Sequence, residues 1–111
     1  GIESRWNQSR IPLDYIPTDT ASLRIVLSHT PDEFPRLVSR NPHLVLSGHT
    51  HGGQVCFPFF GPVVVPSDFG RRYASGLFRQ GNSILYVSRG IGCYPPFRML
   101  CDPEVTLIEF V

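Results

Sequence analysis

Two histidines one residue apart, His49 and His51, stand in the stretch Ser47-Gly48-His49-Thr50-His51-Gly52-Gly53-Gln54. An apolar run, Leu44-Val45-Leu46, leads into it. Neutral imidazole is a common ligand of divalent metals, and glycine lets a backbone turn tightly or approach a ligand closely. Two geometries are open. An extended chain puts residues i and i+2 on one side, so both rings would face one cavity. A turn would instead aim them at two neighbouring ions. The plain alternative is a polar turn with two solvated histidines.

The elements that must position these rings follow from the apolar pattern. Leu23 to Ser28 is short, apolar and partly β-branched, which predicts a strand with His29 at its C-terminal end. Thr30 and Glu33 have capping-box spacing, with Pro31 at a helix-entry position. Pro35 would then fall past the first turn, so a cap at Asp32, which keeps Pro35 within that turn, is the expected start. The helix is expected to run to about Arg40, burying Phe34, Leu37 and Val38 on one face, before Asn41-Pro42 stops it. His43 to Ser47 is a second apolar strand. Strand, short helix and strand make a βαβ unit, with parallel, neighbouring strands. His29 and His49 then lie just past the C-terminal strand ends, the edge where open α/β sheets gather ligands. Neighbouring strands are ~4.8 Å apart, close enough for two imidazoles to share an ion.

The rest of the chain divides around that unit, residues 23–54. Residues 1–22 are a polar, irregular lead-in with one short helical turn, anchored by Trp6, and they look like the continuation of something earlier. Residues 55–111 are a loop and β segment. Within it, Val55 to Pro66 is a structured aromatic and proline-rich loop, and Cys56 is a small buried hydrophobe with no basic neighbour in sequence. Arg71 and Arg72 are cations near an exposed turn. Tyr73–Phe78 and Ser83–Ser88 are strands of a hairpin joined through Arg79 to Asn82. Cys93 to Arg98 is a loop. Glu104 to Phe110 alternates polar with apolar residues and is expected to be a half-exposed strand, mostly antiparallel to its partner.

Composition narrows the class. The 111 residues are 41% hydrophobic and 17% charged, which fits a globular domain and excludes disorder. Eleven prolines and ten glycines mean many loops and short helices. A net charge of +1 gives no electrostatic case for nucleic acid. Three cysteines without a C-x-x-C indicate neither a thiolate zinc site nor a disulfide framework, and they lean toward a reducing compartment. No apolar run approaches the ~20 residues of a membrane-spanning helix, and residues 1–20 lack a signal-peptide pattern. The chain reads as soluble.

Taken together, Ser28-His29-Thr30-Pro31-Asp32, the Gly48-His49-Thr50-His51-Gly52-Gly53-Gln54 element, Tyr73-x-x-Gly76-Leu77, Tyr86 to Gly92 and Pro103-Glu104-Val105 resemble, in order, the C-terminal portion of calcineurin-like metallophosphoesterases. The likeness is greatest to a bacterial subgroup that often carries an N-terminal membrane anchor. The resemblance implies an α/β fold, the C-terminal half of a four-layer α/β/β/α sandwich, in which the βαβ unit is followed by mainly antiparallel strands. It implies a hydrolase of phosphomonoesters or phosphodiesters with two divalent ions (Mn, Fe, Zn or Mg), which activate water and stabilise the attacking and leaving oxygens. Carried over residue by residue, His29 and His49 would hold one ion and His51 the other. Arg89 and Arg98 are candidate phosphate-binding or structural cations.

The family's remaining ligands come from an Asp-x-His, a Gly-Asp and a Gly-Asn-His-Asp/Glu, and none of these occurs here. Asp14, Asp19 and Asp32 do not stand in such contexts. The resemblance therefore implies that this chain alone is not an efficient phosphoesterase and that no catalytic residue is assignable within it. Its partners would be a phosphate-ester substrate and either the missing N-terminal half of the domain or a second copy docked on the exposed sheet. The parent would be cytoplasmic or membrane-associated. Two other readings remain: a non-catalytic metal-binding or interaction module of the same fold, and a protein whose strand-end histidines hold no metal.

Overall fold

The computed structural model describes residues 12–19, 22–93 and 97–111. Trp6 lies outside them. In chain order, the regular elements are β1 (Ile25–Ser28), α1 (Phe34–Leu37), β2 (Leu44–Ser47), β3 (Cys56–Phe57), β4 (Gly61–Pro62), β5 (Gly76–Gln80) and β6 (Ser83–Val87). Short 3-10 turns flank them, including Leu13–Tyr15 in the lead-in and Gly70–Tyr73 before β5.

The βαβ unit forms as its pattern requires. β1 and β2 are parallel neighbours, with Ile25 opposite Leu44 and Ser28 opposite Ser47. The helical crossover starts earlier than the expected cap at Asp32. Thr30 is extended (φ −111, ψ 149) and Pro31 opens a 3-10 turn over Pro31–Glu33 that runs into α1. Proline's fixed φ suits a first helical position. A 3-10 turn before α1 also leaves Pro35, which has no N–H, in the opening turn of the α-helix. Glu33 does not close a capping box. Its carboxylate instead accepts from Arg36 Nε at 2.8 Å. A second 3-10 turn, Val38–Arg40, ends at Asn41, whose φ of 47 reverses the chain.

The sheet is mixed, in the order β1-β2-β6-β5. β6 lies parallel to β2, a pairing absent from the expectation of mainly antiparallel strands, while β5 and β6 form the hairpin. The hairpin strands reach Gln80 and Ser83, leaving Gly81-Asn82 as a two-residue turn. Tyr73 stands before β5 rather than within it, in the 3-10 turn Gly70–Tyr73, where its ring is buried. Loop-rich structure follows Gln54 as expected, with β3 and β4 as a two-residue ribbon.

Alternation along the strands divides the sheet into two unlike faces. One face presents Val26, Val45, Leu85 and Phe78 in register, and it packs under Phe34 and Leu37 of the crossover together with Tyr73. Tyr73 sits edge-on to Phe34, Phe69 and Phe78. The other face presents Ile25-Leu44-Ile84 and Leu27-Leu46-Tyr86-Leu77 in two rows. No helix covers those rows among the described residues, and Leu27 and Leu77 are 75% and 66% exposed.

The expected strand at Glu104 to Phe110 does not form: residues 102–111 have no regular structure. Alternation gives a strand one apolar side, but the ladder needs a neighbouring backbone, and among the described residues this run makes a single such bond, Glu104 N–H to Gly90 O at 2.9 Å, and no ladder. Side chains hold its start. Glu104 is bonded to Tyr86 and, at 2.8 Å, to Arg89. Val105, Leu107 and Phe110 are exposed.

The two faces should answer differently to truncation. Leu85→Ala, in the fully buried row, should cost about 3 kcal/mol through lost transfer energy and an unfilled cavity. Leu27→Ser should change stability by less than about 0.5 kcal/mol. Urea midpoints of the two variants check this.

Candidate metal centre

Parallel strand ends bring the first pair of rings together. His29 follows directly on β1, and His49 lies two residues past the end of β2, where Gly48 N–H donates to His29 O at 3.3 Å. The two imidazoles are 4.7 Å apart between centroids and tilted by 54°. They are therefore neighbours without being stacked, and a shared ion at ~2.1 Å from each nitrogen is within reach of such a pair. His43, at the opposite end of β2, is taken up in structure: its Nδ1 accepts Arg24 N–H at 3.1 Å.

Of the two geometries left open for His49 and His51, the chain adopts the turn. φ is +68 at His49, +51 at His51, +66 at Gly52, +82 at Gly53 and +58 at Gln54. Thr50 is the exception, at −69. Histidine tolerates positive φ better than most residues, yet such conformations cost of order 1–3 kcal/mol each and persist only where surroundings hold them. Thr50 is the inward anchor. Its side chain is fully buried and its hydroxyl donates to Ala74 O at 2.6 Å. Gly52 and Gly53 are required sterically as well as by φ. A Cβ on Gly52 would meet Cys101 Sγ at 2.7 Å, and one on Gly53 would meet Pro62 Cβ at 2.5 Å.

His51 is oriented by a carbonyl. Its Nδ1 lies 3.2 Å from Gly92 O. That oxygen can only accept, so in the neutral ring the proton is on Nδ1 and the Nε2 lone pair stays available. Metal-binding histidines almost always donate their other N–H in this way. Gly92 allows the approach, since a Cβ there would stand 3.2 Å from His51 Cε1.

His29, His49 and His51 all line one open cavity of about 520 Å³, with Thr50, Gly53, Gln54, Val64 and Pro66 completing the wall. The three rings share this cavity without converging on one point: among the described residues, no group of three or more His, Cys, Asp or Glu is placed to hold an ion. Among the described residues, no carboxylate lines the wall. The donor set the cavity offers is therefore imidazole nitrogen, a fit for divalent metals.

The two arginines are engaged by the protein itself. Arg89 donates to Glu104 at 2.8 Å, and its aliphatic stem lies against Gly52. Arg98 is a clasp: its guanidinium donates to the carbonyls of Arg89 (2.7 Å), Gly90 (3.1 Å), Gly92 (3.1 Å), His51 (3.2 Å) and Cys101 (3.2 Å). Gly92 O, which orients His51, is therefore itself held by Arg98. Spacing in sequence carries no sign of this clasp, nor of Thr50 as an anchor. The only local hint was a threonine between two histidines in a glycine frame. Arg71 likewise bonds Phe60 O and Pro62 O, and Arg72 lies over the Tyr73 ring.

Burial raises the Cys56 thiol above its ordinary value, and the neighbouring Cys101 thiol adds to this, while the Arg89 guanidinium pulls it down. A basic residue does approach Cys56, from a strand end distant in sequence.

The chain is 42% identical over 84 residues to the uncharacterized metallophosphoesterase YkuE of Bacillus subtilis, covering 75% of this chain and 29% of that protein. It is 40% identical over 96 residues to phosphodiesterase YaeI of Escherichia coli, covering 86% and 35%. It is 34% identical over 103 residues to the UDP-2,3-diacylglucosamine pyrophosphatase LpxG of Chlamydia trachomatis, covering 86% and 30%. The chain thus spans about a third of the length of these relatives. No family model matches it, and no solved structure gives a significant match.

The turn makes a sharp test. Gly53→Ala, with positive φ and no room, should destabilise by about 3 kcal/mol. Gly48→Ala, with no atom within 4 Å of the new Cβ, should stay within about 0.5 kcal/mol of the parent. Thr50→Val, which leaves Ala74 O without its donor, should cost about 1–3 kcal/mol. Chemical denaturation of the three variants reads all of these.

Proposed function

The chain belongs to the calcineurin-like metallophosphoesterase family, and on that premise we propose that it is the C-terminal portion of a dinuclear, divalent-metal-dependent phosphoric ester hydrolase. The observation that carries this reading is the His29–His49 pair at the ends of two parallel strands, beside His51 on the same cavity wall. His29 and His49 hold one ion and His51, through Nε2, the other. Divalent ions bound there supply activated water and stabilise charge on the phosphoryl oxygens.

This chain's own residues hold the ligands in place. Thr50 pins the turn, Gly92 O fixes the His51 ring, and Arg98 fixes Gly92 O. Arg89 and Arg98 act as structural cations rather than phosphate ligands, because their guanidinium groups are committed to Glu104 and to carbonyls. The substrate is a phosphate ester or, as the name of LpxG suggests for that relative, a pyrophosphate.

The carboxylate ligands come from residues outside this chain. Two features support that view: among the described residues the cavity wall has no carboxylate, and the chain spans about a third of its relatives. The same residues cover the apolar rows around Leu27 and Leu46, completing a four-layer sandwich. No described helix is long and apolar enough to cross a membrane. The lack of carboxylates also favours a second reading, a non-catalytic metal-binding or interaction module with this fold.

Isothermal titration with Mn²⁺ or Zn²⁺ tests the ligands: His49→Ala should lose at least about tenfold in affinity, equivalent to about 1.4 kcal/mol, and equal affinities refute them. The full-length parent should hydrolyse an activated aryl phosphodiester, with loss of activity and metal content in His49→Ala. A metal-loaded but inert parent would favour the non-catalytic module. The 111-residue chain alone should be inactive, and turnover at ordinary enzyme rates would overturn the divided-site reading. Light scattering should show this chain associating through its open sheet face and becoming a stoichiometric complex when the preceding half is added.

A further inference from the structure

Two cysteines far apart in sequence meet at one carbonyl of the histidine turn. Cys56 Sγ lies 3.5 Å from Gly52 O and Cys101 Sγ lies 3.6 Å from the same oxygen. Cys101 Sγ is also 3.4 Å from His51 O. The two thiols thus converge on one oxygen from different parts of the chain. Backbone bonds keep them there. Cys56 N–H donates to Met99 O at 2.9 Å, Met99 N–H donates to Gln54 O at 2.8 Å, and Val55 bridges Met99 in parallel. Gly52 makes room for Cys101, since its missing Cβ would sit 2.7 Å from Cys101 Sγ.

The two thiols differ in access. Cys56 is partly exposed and Cys101 is buried, so a reagent reaches Cys56 first and Cys101 is placed to resolve the product. Arg98 Nη1 is 3.9 Å from Cys101 Sγ.

We propose that Cys56 and Cys101 are an oxidative modification site, an intrachain disulfide pair whose closure slackens the turn that carries His51. With a low-molecular-weight disulfide such as oxidised glutathione, the Cys56 sulfur attacks one sulfur of the reagent. The reagent's S–S bond breaks, one thiolate leaves and takes up the Cys56 proton, and a mixed disulfide remains. The Cys101 sulfur then attacks Cys56 Sγ, expelling the second thiolate, which takes up the Cys101 proton. Two protein thiols are oxidised to one disulfide and one reagent disulfide is reduced to two thiols. The product has no S–H at either sulfur, so Gly52 O loses both of its thiol donors. Looser hold on Gly52 reaches the next residue, His51. The effect on metal binding rests on the proposed metal reading, whereas the disulfide and the slackening do not.

The protein is treated with oxidised glutathione, alkylated and digested without reduction. A crosslinked Cys56–Cys101 peptide is expected, retained in Cys93→Ser and absent in Cys56→Ser. Finding Cys56 and Cys101 unlinked after treatment overturns the proposal. Hydrogen exchange on the reduced and oxidised Cys93→Ser protein reads the turn directly. The amides of Gly53 and Gln54, which donate to Thr50 O and His51 O, should exchange several-fold faster after oxidation and recover with dithiothreitol, and unchanged exchange overturns the slackening. Mn²⁺ titration of the same samples should show several-fold weaker binding by the oxidised form. Equal binding overturns the link to the metal, and no binding by the reduced form overturns the metal reading while the crosslink and exchange results stand.

Discussion

From His49 to Gln54 the backbone takes positive φ at every residue but Thr50, and most of what surrounds this stretch has the effect of holding it there. The two glycines meet the conformational demand at their own positions. His49, His51 and Gln54 cannot, because a Cβ makes that region costly. Support therefore comes from outside the turn. The Thr50 hydroxyl is tied to Ala74 O, His51 O is tied to Arg98, and Gly52 lies under Cys101 and the Arg89 stem. The reward is directional: Thr50 points into the protein while the rings on either side of it line the cavity.

That arrangement depends in turn on a sheet with one finished face. Val26, Val45, Leu85 and Phe78 pack beneath the crossover, and this packing fixes the strand ends from which His29 and His49 emerge. The opposite rows are equally apolar and are open. A sheet whose two faces are both hydrophobic belongs between two layers. The chain spans about a third of the length of its relatives.

Legibility in the sequence follows the range of the interactions. The parallel pair β1 and β2 was readable because short apolar runs separated by a proline-marked crossover leave few alternatives. The burial of Phe34 and Leu37 was readable from their spacing. Glu104 to Phe110 misled because alternation reports a side preference but not whether a partner backbone is present. The crossover's start misled because an α-helical frame was assumed, whereas a 3-10 turn accommodates Pro31 and Pro35 together. At the site, the residue types pointed to three histidines, but the turn's geometry did not show, since positive φ at His49 and His51 is imposed by contacts far along the chain. Arg98 and Cys101 could not be connected to His51 by any local pattern.

The Arg98 clasp has a consequence for the order of synthesis. His51 is held by a guanidinium encoded 47 residues later, so a ribosome releases the histidine turn well before it releases its lock. Until Arg98 emerges, the ring-bearing loop has only its own short-range backbone bonds, such as Gln54 N–H to His51 O at 3.1 Å, and lacks the guanidinium that ties His51 O to later residues. Arg98 can thus complete the cavity wall only after the strands that carry His29 and His49 have been made. A nascent chain cannot present a finished pocket to ions before translation has passed the residues that shape it.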